Sequence, residues 1–261
     1  RCRNSTTLSQ RLLEVFSGKA AVSQNIEVRS SVELPSRREN ITLHTSDGLA
    51  LIGELATPLD REPVATLVML HPLPTHGGFM DSHIYRKAAN RLPALADLAV
   101  LRFNTRGTSS PHGTSEGEFG EGITEVADVR AAVAFAAQRK LPNIWVVGWS
   151  FGTELALKYA VDEEVLGAIL LSPPLHRTTD EELLRWNQSH KRLVALVPEF
   201  DDYLVPEAAE KRFEPLQGAH IVAIEGAKHL WVGENATKSV IDEVVRVVTP
   251  EFYPLPTHYR A

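Results

Sequence analysis

The chain has 261 residues, a single cysteine and a formal charge of −6, with 43% apolar and 23% charged side chains. That length suits one large domain able to bury a core without disulfides, and the composition excludes wholesale disorder. The acidic balance argues against a nucleic-acid binder, which presents a basic face to the phosphates.

Residues 1–39 are polar and basic apart from one helix-like apolar patch of Leu8, Leu12, Leu13 and Phe16, and are read as an N-terminal extension. Two readings stay open: an arm packing on the domain or on a partner chain, which would give a homodimer, or a mobile tail. Cys2 stands alone, so no internal disulfide is possible. No run approaches the roughly 18 apolar residues of a membrane span, and the first residues lack the apolar core of a signal peptide. These features favour a cytoplasmic protein with no membrane association. Residue 1 is Arg rather than Met, so a preceding leader stays open.

The folded domain is expected over residues 40–261. Residues 41–44 and 49–55 alternate around Asp47-Gly48, a hairpin signal. The continuous apolar run 64–70 reads as a strand covered on both faces. Helical spacing follows over 82–96, a strand over 98–103 and an Ala-rich helix over 122–139. Strand 144–149, helix 151–159, strands 166–171 and 193–197, helix 206–213, strand 221–224 and helix 236–248 complete the pattern. This alternation predicts an α/β fold, a mostly parallel sheet with an antiparallel N-terminal hairpin and helices on both faces. Ligands then bind beyond the carboxyl ends of the strands. Residues 113–122, with four glycines and several acids, read as a mobile loop. No phosphate-reading Lys follows them.

Gly148-Trp149-Ser150-Phe151-Gly152 matches GxSxG between a predicted strand and a predicted helix, which is where the motif has meaning. Such a turn strains the backbone at Ser150, needs small residues around it, and leaves the hydroxyl at a helix N-terminus, where an anion is favoured. The bland alternative is a serine that only caps the helix. A serine nucleophile needs a histidine base and an acid that orients it. In a fold of this kind they follow in the order serine, acid, histidine. Of the five later histidines, His229 follows a late strand closely; His176 and His190 come early, His220 opens a strand and His258 lies in a Pro-rich tail. For the acid, Asp202 is the first choice because it sits four residues before Pro206, which opens the next helix. Asp201 is the alternative.

The oxyanion of an acyl-transfer intermediate needs two N–H donors, one expected from Phe151 and one from the loop after strand 64–70. That loop is His71-Pro72-Leu73-Pro74-Thr75, and proline has no N–H, so Leu73 is nominated. His71 and His76 lack acidic or cysteine companions, and a loop-shaping role for His71 is preferred to metal binding. Arg106, in Asn104-Thr105-Arg106-Gly107, either braces its turn or binds a substrate carboxylate; bracing is preferred.

Taken together, His71-Pro72 with Gly77-Gly78 and Asp81, the turn 103–107, Gly148 to Gly152, Asp202 with Pro206, and His229 resemble an α/β-hydrolase family of small, nearly capless esterase-like proteins. The resemblance covers about residues 40–250 and implies the α/β-hydrolase fold. Only residues 175–192 stand where a large cap often enters this superfamily, enough for a short lid segment of one helix. The expected function is hydrolysis of a small carboxylic ester by Ser150, His229 and Asp202, with no cofactor or metal. Thioester or peptide cleavage would use the same machinery. A non-catalytic binding module that retains the fold is the alternative from another class.

Overall fold

A strand covered on both faces reads as a near-continuous apolar run, and the central strands of this chain are buried at every residue, with Thr66 and Arg102 as polar exceptions. The structure is a computed structural model that describes residues 25–29 and 31–260. Its first half runs β1 (Asn25–Glu27), β2 (Arg37–His44), β3 (Ala50–Thr57), β4 (Ala65–Leu70), α1 (His83–Leu95), β5 (Leu98–Phe103), β6 (Ser109–Ser110), β7 (Gly113–Thr114) and α2 (Val126–Gln138). The second half runs β8 (Ile144–Trp149), α3 (Phe151–Tyr159), β9 (Gly167–Leu171), α4 (Asp180–Ser189), β10 (Arg192–Phe200), α5 (Pro206–Phe213), β11 (Ala219–Lys228), α6 (Glu234–Val248) and β12 (His258–Arg260).

Eight strands form one sheet in the order β11-β10-β9-β8-β4-β5-β3-β2. Neighbours from β11 to β5 are parallel; β3 runs antiparallel to β5, and β2 to β3. The expected α/β architecture with its antiparallel N-terminal hairpin is therefore present. Gly48, with φ of 91°, turns the hairpin, and the Thr45 and Leu49 backbones close it at 2.9 Å. Alternate residues of the strands feed two cores. Val68, Leu70 and Val146 pack under α2, α3, α4 and α5, whereas Leu67, Met69, Trp145 and Val147 pack under α1 and α6. The sequence runs on from β4 to β5 on one side and then crosses to β8 on the other, so the sheet has its switch point at β4.

Two expectations shift. Helix α2 starts at Val126, not at residue 122, because the buried Glu125 carboxylate accepts the Gly120 and Gly122 amides at 2.8 and 2.9 Å while Gly122 takes φ of 86°. The glycine-containing loop before it is tied down: Ser115 Oγ accepts the Ile52 amide at 3.0 Å and donates to the Asn104 carbonyl at 2.8 Å. Ahead of the sheet, β1 pairs with β12, and the Leu34 amide donates to the Asn90 carbonyl at 2.8 Å. Residues 1–24, with Cys2, the Leu8 to Phe16 patch and any dimer contact made through them, lie outside the described residues. No described helix is long and apolar enough to cross a membrane.

Candidate active site

Parallel strands end on a common edge, and here six of them are each followed at once by a polar side chain or a polar loop. His71 follows β4, Asn104 follows β5, Ser150 follows β8, Ser172 follows β9, Asp201 follows β10 and His229 follows β11. Ser150 is half-buried and the other five are buried.

Ser150 takes φ of 52° and ψ of −116°, a strained conformation for a residue with a Cβ. Its amide donates to the Leu171 carbonyl at 2.9 Å, and its carbonyl accepts the Thr153 amide and hydroxyl at 2.9 and 2.6 Å. The flanking glycines permit this turn. A Cβ on Gly148 would lie 2.3 Å from the Gly152 carbonyl oxygen, and one on Gly152 would lie 1.9 Å from that of Leu70. The elbow and the end of β4 are thus in backbone contact. The Ser150 hydroxyl makes no capping bond to α3; it meets His229 Nε2 at 2.9 Å.

His229 Nδ1 stands 2.9 Å from Asp201 Oδ2. The His229 carbonyl is pinned by the Trp149 indole N–H at 3.2 Å and the Ser172 hydroxyl at 3.1 Å, so the residue before Ser150 and the residue after β9 both hold the His229 loop. The choice of Asp202 is corrected: its side chain is exposed, and Asp201 is the carboxylate at the imidazole. Strand β10 continues to Phe200 through an irregularity between Pro198 and Phe200, which makes Asp201 the first residue beyond the strand. Its Oδ1 then accepts the Tyr203 and Leu204 amides at 2.8 and 3.1 Å, turning the chain and leaving Oδ2 for His229. Burial opposes the charge on Asp201, but the bonds from His229, Tyr203 and Leu204 outweigh it and hold the carboxyl below its ordinary range.

The loop after β4 lies against the elbow. The Leu73 carbonyl accepts the Gly78 and His76 amides at 3.0 and 3.1 Å, and a Cβ on Gly78 would lie 2.0 Å from the Pro72 carbonyl oxygen. Neither the Leu73 nor the Phe151 amide donates to another group of the described residues. Beneath this loop, His71 Nε2 accepts the Thr105 amide at 3.0 Å, which requires the tautomer whose Nδ1–H donates to the Pro72 carbonyl at 2.7 Å. Burial pushes its pKa down to about 4, and a second ring proton would meet the Thr105 N–H head on. His71 is thereby a neutral brace of the loop. Arg106 is also a brace: it is buried, with Nη2 2.8 Å from Asp128 Oδ1 and Nη1 2.9 Å from Asp47 Oδ2. Among the described residues no group of three or more His, Cys, Asp or Glu side chains is placed to hold a metal ion.

Two consecutive residues of the segment after β9 reach aromatic rings beside these side chains. His176 stacks edge-on to Tyr203, centroids 5.3 Å apart, and Tyr203 lies against His229 at 4.6 Å. Arg177 lies 5.7 Å from the Phe151 ring, which also meets Phe119 at 5.4 Å. The Arg177 amide is bonded to the buried Glu154 carboxylate of α3. Helix α4 itself packs on α3, with the Trp186 indole donating to the Leu157 carbonyl at 2.9 Å. Sequence reasoning missed Tyr203, Ser172, Trp149 and Glu154 as supports. The one signal available was that Ser172 directly follows a strand. A groove of about 640 Å³ elsewhere on the molecule, lined by Asn25, Leu95 and residues 256–260, contains none of these side chains.

A model of the alpha/beta hydrolase family matches residues 67–200, about half of the chain. Among solved structures, a serine hydrolase without a lid from Xanthomonas campestris is 26% identical, with a TM-score of 0.66 over 85% of this chain and 98% of that one. A serine hydrolase homologue from Coxiella burnetii is 24% identical, with a TM-score of 0.67 over 81% and 97% of the two chains. An esterase from Pyrococcus furiosus shares the fold at 19% identity and a TM-score of 0.63 over 83% and 92%. A protein of Rickettsia prowazekii (strain Madrid E), described as uncharacterized, is 32% identical over 120 residues, 44% of this chain. The chain spans about half the length of that relative, 46%.

Proposed function

Because the chain belongs to the alpha/beta hydrolase family, we propose that it is a serine hydrolase that cleaves a small carboxylic ester through an acyl-enzyme. The observation that carries this reading is the relay of two contacts, Ser150 Oγ to His229 Nε2 and His229 Nδ1 to Asp201 Oδ2, each 2.9 Å. Ser150 Oγ attacks the ester carbonyl while His229 Nε2 takes its proton, and Asp201 holds Nδ1–H and stabilises the imidazolium that forms. The Phe151 and Leu73 amides receive the developing oxyanion, each such donor being worth about a hundredfold or more in rate. Collapse of the intermediate breaks the bond to the alcohol, which leaves with the proton from His229. Water then attacks the acyl group on Ser150, again giving its proton to His229, and the carboxylic acid departs as Ser150 recovers its proton. This chemistry requires no cofactor.

Helix α4, the helix of the segment after β9, is held against α3 by the Trp186 bond to the Leu157 carbonyl at 2.9 Å, which supports a small substrate entering a shallow site. The test is labelling by a fluorophosphonate probe, followed by a chain-length series of esters. The wild type should be labelled on Ser150 and Ser150→Ala should not. A folded wild type inert to the probe would defeat the reading, and persistent labelling of Ser150→Ala would move the nucleophile elsewhere.

A further inference from the structure

Two hydrogen bonds hold the His229 imidazole, one at each ring nitrogen. On the hydrolase reading the bond at Nε2 cannot persist through a cycle, because the proton taken from Ser150 has to be turned toward a different oxygen, that of the leaving group. At that moment the ring is tethered at Nδ1 alone and can swing about its Cβ–Cγ bond. A productive transfer needs it to stay within a fraction of an ångström of its line.

We infer that Tyr203 is the positioning residue that keeps the His229 ring in this line and shuts water from it. Its ring stands against the imidazole with centroids 4.6 Å apart and planes at 71°, and it is the aromatic neighbour of that imidazole among the described residues. Tyr203 also meets His176 edge-on at 5.3 Å and 82°, so its ring touches side chains of two other loops. The amide of the same residue donates to Asp201 Oδ1 at 2.8 Å. One residue therefore fixes the acid through its backbone and the base through its ring. Tyr203 is 56% exposed whereas His229 is 5% exposed, so the phenol ring takes the solvent that would otherwise reach the imidazole. Its hydroxyl bonds to no described residue, which leaves the work to the ring. The geometry stands without the hydrolase reading; the effect on turnover rests on it.

Tyr203→Phe and Tyr203→Ala distinguish this role from a purely structural one. With a small ester, Tyr203→Ala should lower kcat about tenfold to a hundredfold while KM changes by less than about threefold; Tyr203→Phe should behave as the wild type. Carbethoxylation of His229 by diethyl pyrocarbonate, followed by peptide mass spectrometry, should accelerate several-fold in Tyr203→Ala and not in Tyr203→Phe. His176→Ala, which leaves Tyr203 in place but without that contact, should fall between the two and serves if Tyr203→Ala does not fold. The inference is overturned if His229 is modified at the wild-type rate in Tyr203→Ala, if kcat is unchanged there, or if Tyr203→Phe is as impaired as Tyr203→Ala. An unlabelled wild type would defeat the hydrolase reading alone, since carbethoxylation still reports whether Tyr203 shields His229.

Discussion

Asp201 Oδ2 and His229 Nδ1 meet at 2.9 Å across the ends of two adjoining parallel strands, while Asp202, one residue on, faces solvent. Removing the Asp201 charge should therefore leave the imidazole without its orienting acid. Asp201→Asn is expected to slow ester turnover by about 10⁴-fold, as loss of the acid does in such relays, and Asp202→Asn to leave it unchanged. Steady-state rates of the two purified variants decide; a larger loss in Asp202→Asn would reverse the assignment.

Gly152 is pressed against backbone that cannot move aside. Its added Cβ would lie 1.9 Å from the Leu70 carbonyl oxygen and 2.9 Å from that of His71. Gly152→Ala should destabilise the fold by about 3 kcal/mol and, by pushing α3 from the His71–Leu73 loop, weaken fluorophosphonate labelling even at temperatures where the variant stays folded. Urea unfolding and labelling rates measured on one preparation would check both; wild-type values in both would remove the close contact from the account.

His71 makes the fold sensitive to mild acid. Burial lowers its pKa to about 4 from an ordinary 6.5, so over that interval the folded protein holds fewer protons at this site than the unfolded chain does. Stability then rises with pH across the interval and is lost as the solution is acidified through it, by on the order of 3 kcal/mol in total. Asp201, whose carboxyl is also held low in the folded state, adds a loss of the same sign at still lower pH. Urea midpoints at about pH 7 and about pH 4.5 should differ accordingly. In His71→Gln the dependence should be flatter, and an equally steep one would show that another group is responsible.

Arg106 and Asp128 test bracing against substrate binding. Asp128 is fully buried and accepts the Arg106 amide at 2.8 Å as well as the guanidinium. Breaking such a pair from one side strands a buried charge, so Arg106→Met should lose about 3 kcal/mol or more of stability, with turnover per folded molecule little changed for neutral and anionic esters alike. A stable Arg106→Met variant that had lost only its anionic substrates would make the side chain a ligand.

Much of this site was legible in the sequence, for a physical reason. Strands β5 and β8 fall where the apolar runs predict them, because a strand buried on both faces is apolar along most of its length, Arg102 being the exception in β5, and the two end just before Asn104 and Ser150. Ser150 was found because it stands immediately beyond such a strand, and His229 because it follows the last strand closely, although that strand, β11, is a partly exposed edge. Asp202 was preferred for its distance from Pro206, whereas an irregular register between Pro198 and Phe200 carries β10 on to Phe200 and leaves Asp201 at the imidazole; that depends on pairing with β11, which local pattern does not record. The start of α2 was missed in the same way, since the buried Glu125 that gathers the Gly120 and Gly122 amides looks like any helix-opening acid. The contacts of Tyr203 join loops after β9, β10 and β11, and no spacing along the chain announces them.

The placement of Ser150, Asp201 and His229 directly at strand ends has a thermodynamic consequence. Ser150 hangs from β8, buried at every residue in the middle of the sheet, and the bonds from Trp149 and Ser172 tie the His229 loop, which follows the edge strand β11, to the ends of β8 and β9. Local opening of a surface loop therefore does not dismantle them; only cooperative melting of the sheet does. Heat inactivation should coincide with the loss of the circular dichroism signal rather than precede it, and a covalent label on Ser150 should leave the apparent melting of distant β2 and β3 unchanged except through the single transition that all eight strands share.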